Sequence, residues 1–154
     1  MEQAGPTAAT RLFDLGEALD ARGDHSRAAD AYSRAIEEQA DHAPSLYNLA
    51  CCFDQGVGRP RDPAEALSLF ERAGDAGDAD GAYNAALAHE EMGHPVGVVL
   101  SWYARAAAKQ HPEALNNLAL LEEDKGESAR VALFKAALSG LPEAQYNYAV
   151  MCEE

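Results

Sequence analysis

Residues 47–50 read YNLA, and the string returns as YNAA at 83–86, NNLA at 116–119 and YNYA at 146–149. The shared asparagines Asn48, Asn84, Asn117 and Asn147 are separated by 36, 33 and 30 residues, and Asp14 stands 34 residues before the first of them in the string FDLG. A period of this length, built from two short helices, marks a helical solenoid in which each unit buries its apolar face only against its neighbours.

Working outward, the copies fall into register when Ala9 is taken as position 1 of the first repeat. Position 8 is then always small: Gly16, Ala50, Ala86, Ala119 and Ala149. Small side chains there let two helices approach closely. Positions 4, 7, 8 and 11 form one helical stripe, which is expected to pack inward. The second half of each repeat carries small, large, small triplets: Ala28/Tyr32/Ala35, Ala66/Phe70/Ala73, Val99/Tyr103/Ala106 and Ala129/Leu133/Ala136. Spacings of four and three residues stack one helical face.

Stop and start signals agree with this phase. Asp62, Pro63 and Glu65 supply an N-cap, a first-turn proline and an acid at the positive helix end. Pro112 and Pro142 open further helices in the parallel strings HPEA and LPEA, and Gly23, Gly56, Gly93 and Gly126 fall where first helices should end. The sequence predicts nine helices, near 8–22, 25–39, 43–55, 63–75, 79–92, 96–109, 112–124, 127–139 and 142–152. It is read as a single domain spanning 1–154, with repeats at about 9–42, 43–78, 79–111 and 112–141 and a half repeat at 142–154.

Composition narrows the function. The chain has 154 residues, and its 47% hydrophobic content lies largely in alanine and leucine without the alternation of strands, so it reads as all-α. Twenty-six acids against 12 bases give a formal charge of −14. Nucleic acid binding rests on phosphates neutralised by Lys and Arg, so nucleic acid and anionic membranes are poor partners. The N-terminus shows no basic segment followed by an apolar run, and nowhere are 18 consecutive residues apolar. Three cysteines without framework spacing fit a reducing compartment. The expectation is a soluble, cytoplasmic protein.

At this point the residues resemble two related families. The first repeat, with Leu15, Gly16, Leu19, Ala28, Tyr32 and Ala35 at a 34-residue pitch, looks like a tetratricopeptide repeat. The second, FDQGVGRPRDPAEALSLFERAGDAG, is similar to the Sel-1-like repeat through Gly56, Gly58, Asp62, Ala66, Ala73 and Gly77. The third keeps an aromatic and alanine run in Trp102, Tyr103, Ala106 and Ala107 but lacks the G-x-G loop, and the fourth is shortened to EEDKGES. The resemblance covers about residues 9–152. It implies a right-handed α-α superhelical solenoid of about four helical hairpins plus a C-terminal helix, whose first helices line a concave surface. It further implies adaptor or scaffold work rather than an enzyme.

Positions 5, 9 and 12 share a stripe turned about 100° from the packing stripe, so they are expected to face solvent or ligand. Position 5 reads Phe13, Tyr47, Tyr83, Asn116 and Tyr146, and position 12 reads Asp20, Asp54, Glu90, Glu123 and Glu153. An acid in the last turn of a helix opposes the macrodipole at a cost of about 0.3–1 kcal/mol, so helix stability does not account for the acidic row. Two readings remain: a solvated face, or a site for a basic ligand. The asparagines at position 6 border the same face, either to meet an extended peptide backbone or to bond within their own repeat. The candidate peptide-binding face is therefore Phe13, Tyr47, Asn48, Asp54, Tyr83, Asn84, Glu90, Asn117, Glu123, Tyr146 and Asn147.

The carboxylate clamp of some tetratricopeptide domains needs a basic residue at position 5 and asparagine at position 9 of the first repeat, where Phe13 and Glu17 stand. At positions 2 and 6 of the third repeat, where the clamp needs further basic residues, stand Asp80 and Asn84, and only Asn48 of the second repeat matches, so an acidic tail should be repelled. The string HEEMGH places His89 and His94 five residues apart, about 140° around a continuous helix, whereas two zinc ligands on one face need a spacing of four. No phosphate loop or nucleophile elbow is present. The sequence predicts a non-catalytic scaffold without cofactor or metal that binds a basic protein or peptide, with homo-oligomerisation through the open C-terminal helix as the alternative.

Overall fold

The computed structural model describes residues 5–121 and 126–153. Among the described residues the chain forms nine helices and no strand: α1 (Ala8–Asp20), α2 (His25–Glu38), α3 (Ala43–Gln55), α4 (Pro63–Asp75), α5 (Ala79–Glu91), α6 (Val96–Ala108), α7 (Pro112–Leu121), α8 (Glu127–Leu138) and α9 (Pro142–Glu153). None of them is long and apolar enough to cross a membrane. The caps explain the boundaries. Asp62 accepts hydrogen bonds from the backbone N–H groups of Ala64 and Glu65, both at 3.1 Å, just ahead of Pro63. Asp24 does the same for Arg27 at the start of α2, and Thr7 for Thr10 at the start of α1. These side chains satisfy backbone donors that a helix start leaves unpaired. Gly23, Gly56 and Gly93 take left-handed φ values of 78°, 69° and 70° where first helices stop. Gly126 differs from its expected role: it is the extended N-cap of α8.

The residues group into two compact units, Met1–Gly81 and Ala82–Glu154, with the boundary inside α5. In the first, α1 packs on α2, α2 on α3 and α3 on α4. In the second, α6 packs on α7, α7 on α8 and α8 on α9. All four small, large, small triplets are buried. Gly16 lies under the Tyr32 ring so closely that a Cβ at this position would stand 2.7 Å from Cδ1 and 2.9 Å from Cζ.

The inward stripe departs from expectation at two places. Leu15 is 48% exposed although its register equivalents Leu49 and Ala85 are 6% and 0% exposed. No described element covers α1 on that side. In the last copy, Gln145, Ala149 and Cys152 are exposed and Tyr148 is half-buried, so Ala144 is the one buried residue of α9. The cause is the same: α9 packs on α8 and α7, and among the described residues nothing covers its other side.

The expected solvent-facing stripe also needs correction at position 5. Phe13, Tyr47 and Tyr83 are half-buried and Asn116 is buried. Phe13 packs against Tyr32 and His42 with ring centroids at 5.9 and 5.6 Å, and Tyr47 against Phe70 at 5.8 Å. Tyr83 lies 5.9 Å from Tyr103 and stacks on His111 at 4.5 Å. A large planar side chain at the edge of a stripe gains more by leaning onto the neighbouring helix than by standing in water. Tyr146, with no following helix among the described residues to lean on, is 71% exposed.

Candidate functional site

Two of the acids at position 12 meet a tyrosine from the second helix of their own hairpin. Asp20 ends α1, and its Oδ2 accepts a hydrogen bond of 2.8 Å from the buried Tyr32 hydroxyl of α2. Glu90, in the last turn of α5, accepts one of 3.0 Å from the buried Tyr103 hydroxyl of α6. The asparagine of the next first helix completes the arrangement. Asn117 donates from Nδ2 to the Tyr103 oxygen at 3.2 Å, and Asn48 is hydrogen-bonded to the Tyr32 hydroxyl. Each phenol therefore donates to an acid on one side and accepts from an asparagine on the other. A buried hydroxyl without such partners would lose free energy on folding.

The acid, the asparagine and the residues one turn further along the next first helix enclose a cleft in each unit. In the first unit it is about 250 Å³, lined by Asp20, His25, Asn48, Cys51 and Cys52 among others. In the second it is about 190 Å³, between Glu90, Tyr103, Asn117, Leu120 and Leu121. A third, of about 210 Å³, lies where Leu120 and Leu133 face Tyr146, Asn147 and Val150. There Asn147 donates to Asn116 Oδ1 at 2.9 Å, and Asn116 donates to Asn117 at 3.3 Å. In each unit the cleft is thus lined from corresponding positions of the sequence repeat.

Asp54 lacks a phenol because Phe70 stands where Tyr32 and Tyr103 do. Its backbone carbonyl accepts from Arg61 Nε at 2.9 Å, and the residue is half-buried near the end of α3. Asn84 is half-buried on α5, and Glu123 lies outside the described residues. Sequence reasoning missed Tyr32 and Tyr103 as members of the site. The available signal was chemical: a tyrosine rather than phenylalanine at the centre of a buried triplet needs a partner for its hydroxyl, and the acid at position 12 was the candidate in the same hairpin.

Burial, followed by the hydrogen bond to Asp20, pushes the Tyr32 phenol well above its ordinary range. Burial likewise pushes Tyr103 up to about 12; Asn117 donating to its oxygen works in the opposite direction, and the Glu90 hydrogen bond raises it further. An unfolded phenol ionises near pH ~10, so above that pH the native state holds more protons than the unfolded one. Stability is then lost as pH rises from about 10 through 12. Thermal melts across this window should show a steep fall for the native sequence and a shallower one for Tyr32→Phe/Tyr103→Phe; equal slopes would show that other groups control the alkaline limit.

The thiols of the first cleft are poor nucleophiles. Burial raises Cys51, and burial together with Asp20 raises Cys52 to about 11, so both remain protonated near neutrality. The histidine spacing needs a different reading from the sequence-based one. Because α5 ends at Glu91 and the chain turns at Gly93, the angle on a continuous helix does not apply, and His89 Nδ1 meets His94 Nδ1 at 2.6 Å. His89 also stacks on Trp102, over which Arg105 sits at 4.5 Å. Among the described residues, no group of three or more His, Cys, Asp or Glu side chains could hold a metal ion.

Residues 43–78 and 142–154 match the Sel1 repeat family model. No curated protein matches the sequence. Among solved structures, a protective antigen of uropathogenic Escherichia coli strains with an SLR fold is similar over 91% of this chain and 32% of its own, with 21% identity and a TM-score of 0.80. A Sel1 repeat protein from Oxalobacter formigenes is similar over 91% of this chain and 60% of its own, with 21% identity and a TM-score of 0.74. The chain therefore spans less than two thirds of either. YrrB, a tetratricopeptide protein with an unusual peptide-binding site, aligns over 93% of this chain and 75% of its own, at 20% identity and a TM-score of 0.63.

Proposed function

We propose, from the premise that this chain is a Sel1-like and tetratricopeptide-like helical-repeat protein, that it is a non-catalytic interaction module whose first-helix clefts hold a basic segment of another protein. Repeats of this kind bind proteins or peptides. The observation that carries the reading is the recurrence of one arrangement, acid at the lip and asparagine on the floor, in the clefts of both units. An extended peptide presents a cationic side chain to the acid and backbone amides to the carboxamide. Asp54 adds a further acid in the first unit, and Tyr146 offers an exposed ring in the second. Phe13, Tyr47, Tyr83 and Asn84 act by holding or bordering the first helices, while Asn117 and Asn147 floor the clefts.

The test uses a fluorescein-labelled Lys/Arg-rich nonapeptide and its anisotropy at low and high salt. Asp20→Asn, Asp54→Asn and Glu90→Gln retain hydrogen-bond acceptors but remove three charges. The triple variant should bind roughly 3- to 150-fold more weakly and with less salt dependence, from about 0.2–1 kcal/mol per exposed ion pair. Equal binding at both salts, or binding unaltered in the triple variant, overturns the reading.

A further inference from the structure

In the second unit two clefts share a wall. Leu120 of α7, 51% exposed, lines both the cleft that holds Glu90 and the one faced by Tyr146 and Val150. Their chemistry differs. Among the described residues, Glu90 is the one charged member of the first lining, beside Tyr103, Asn117, Leu120 and Leu121. The second lining, which includes Leu120, Leu133, Tyr146 and Val150, carries no charge at all.

Glu90 is exposed, and among the described residues no Lys, Arg or His pairs with it. Tyr103 engages its Oε2 at 3.0 Å, and Oε1 has no partner. Asp20, its counterpart in the first unit, has both oxygens engaged, Oδ2 by Tyr32 at 2.8 Å and Oδ1 by His25 at 3.0 Å. The apolar side also belongs to the second unit alone, because Cys51 and Cys52 stand at the register positions of Leu120 and Leu121. Asn147 donates from Nδ2 to Asn116, which leaves its carbonyl oxygen to accept from a ligand.

The acidic cleft lies on one side of α7 and the apolar cleft on the other, one first-helix interval or about 10 Å apart. A polyproline-type segment makes one turn in three residues and rises about 3.1 Å per residue, so residues three apart point the same way at about 9 Å. We propose that this pair of clefts reads a motif in an extended segment of another protein: Lys or Arg at Glu90 and, three residues away, a large apolar side chain against Leu120, Tyr146 and Val150. The proposal rests on the first-helix clefts binding basic segments, and names what such a segment carries beside its positive charge. Charge complementarity selects the basic residue, whose aliphatic stem lies along Leu120 and Leu121 while its head meets the free Oε1. The exposed Tyr146 and Val150, at 71% and 40%, leave water when the apolar residue docks. A second copy of this chain, itself at −14, meets net repulsion here.

Four fluorescein-labelled nonapeptides on a Pro/Ser/Gln background, titrated with the full chain and followed by anisotropy, test the motif. One carries Arg and Leu three residues apart, one carries them adjacent, one has Arg alone and one Leu alone. The spaced peptide should bind about tenfold more tightly than any of the others, since burying one Leu side chain supplies at least that factor. Tyr146→Ser/Val150→Ser should abolish this advantage without weakening the Arg-alone peptide, Glu90→Gln should weaken the spaced peptide, and Asp20→Asn should leave its advantage intact. Circular dichroism melts check that each variant is folded, and the comparison of spacings needs only the native chain. Equal binding of the spaced, adjacent and Arg-alone peptides overturns the motif and leaves the basic-segment reading standing. Leu-alone binding as tight as the spaced peptide, or spaced-peptide binding indifferent to Glu90→Gln and to salt, overturns both. A dimer in sedimentation velocity that Tyr146→Ser/Val150→Ser dissociates also overturns the motif, because a second copy would then be the occupant.

Discussion

Tyr32→Ala lowers the stability of the first unit by about 3–5 kcal/mol, the range for deleting a buried aromatic side chain. The Tyr32 ring is 1% exposed, covers Gly16 and touches Phe13 at 5.9 Å. Its removal opens a cavity at the contact of α1 with α2, and the rigid helices on either side close it only in part. Tyr32→Phe separates the ring from the hydroxyl. It leaves packing intact and removes only the link between Asp20 and Asn48, at a cost of about 1 kcal/mol because Asp20 keeps partial access to water. Urea melts followed by circular dichroism give both values. If the phenylalanine variant is as damaged as the alanine variant, the hydroxyl rather than the ring organises this region; if the alanine variant loses under about 1 kcal/mol, the packing account fails.

Gly58→Ala is the second large effect, about 3–4 kcal/mol, because two penalties coincide. The backbone there has φ 73°, and the added methyl would collide with the His25 carbonyl, a backbone atom that cannot rotate away. Gly23 provides the control. It has nearly the same φ, 78°, but no atom lies within 4 Å of its hypothetical Cβ, so Gly23→Ala bears only the left-handed conformational cost of about 1–2 kcal/mol. A difference of less than about 1 kcal/mol between the two variants would show that the loop shifts freely and that the close approach is not required. The same substitution should dislodge Arg59 from Asp30, which it meets at 2.7 Å.

These contrasts show which features were legible in the sequence. The helix boundaries were, since Asp62, Pro63 and the glycines at 23, 56 and 93 act through local backbone geometry that needs no tertiary knowledge. The burial of the alanine triplets was legible for the same reason, because helical period alone puts them on one face. The orientation of the aromatic row was not. Period assigns a residue to a stripe, but whether Tyr83 stands in solvent or leans onto Tyr103 and His111 depends on the neighbouring helix. The acids at position 12 illustrate the limit further. Asp20 and Glu90 accept tyrosine hydroxyls 12 and 13 residues away, and the reading of an uncompensated acid at a helix C-terminus had no place for that partner. Leu15 was assigned inward because its register equivalents are, which presumes a neighbour on every side.

The single buried residue of α9 has a consequence for motion. In an array where each helix touches mainly its sequence neighbours, local opening proceeds from the least anchored segment, at a free energy well below that of the whole unit. With Ala144 as its only buried side chain and one asparagine bond to Asn116, α9 is that segment in the second unit. Its backbone amides should exchange with solvent hydrogen ahead of those in α6, so the cleft faced by Tyr146 and Val150 has a wall that undocks while the rest of the unit stays folded. A ligand seated there would be read out as slowed exchange in α9, with occupancy and helix order becoming one equilibrium.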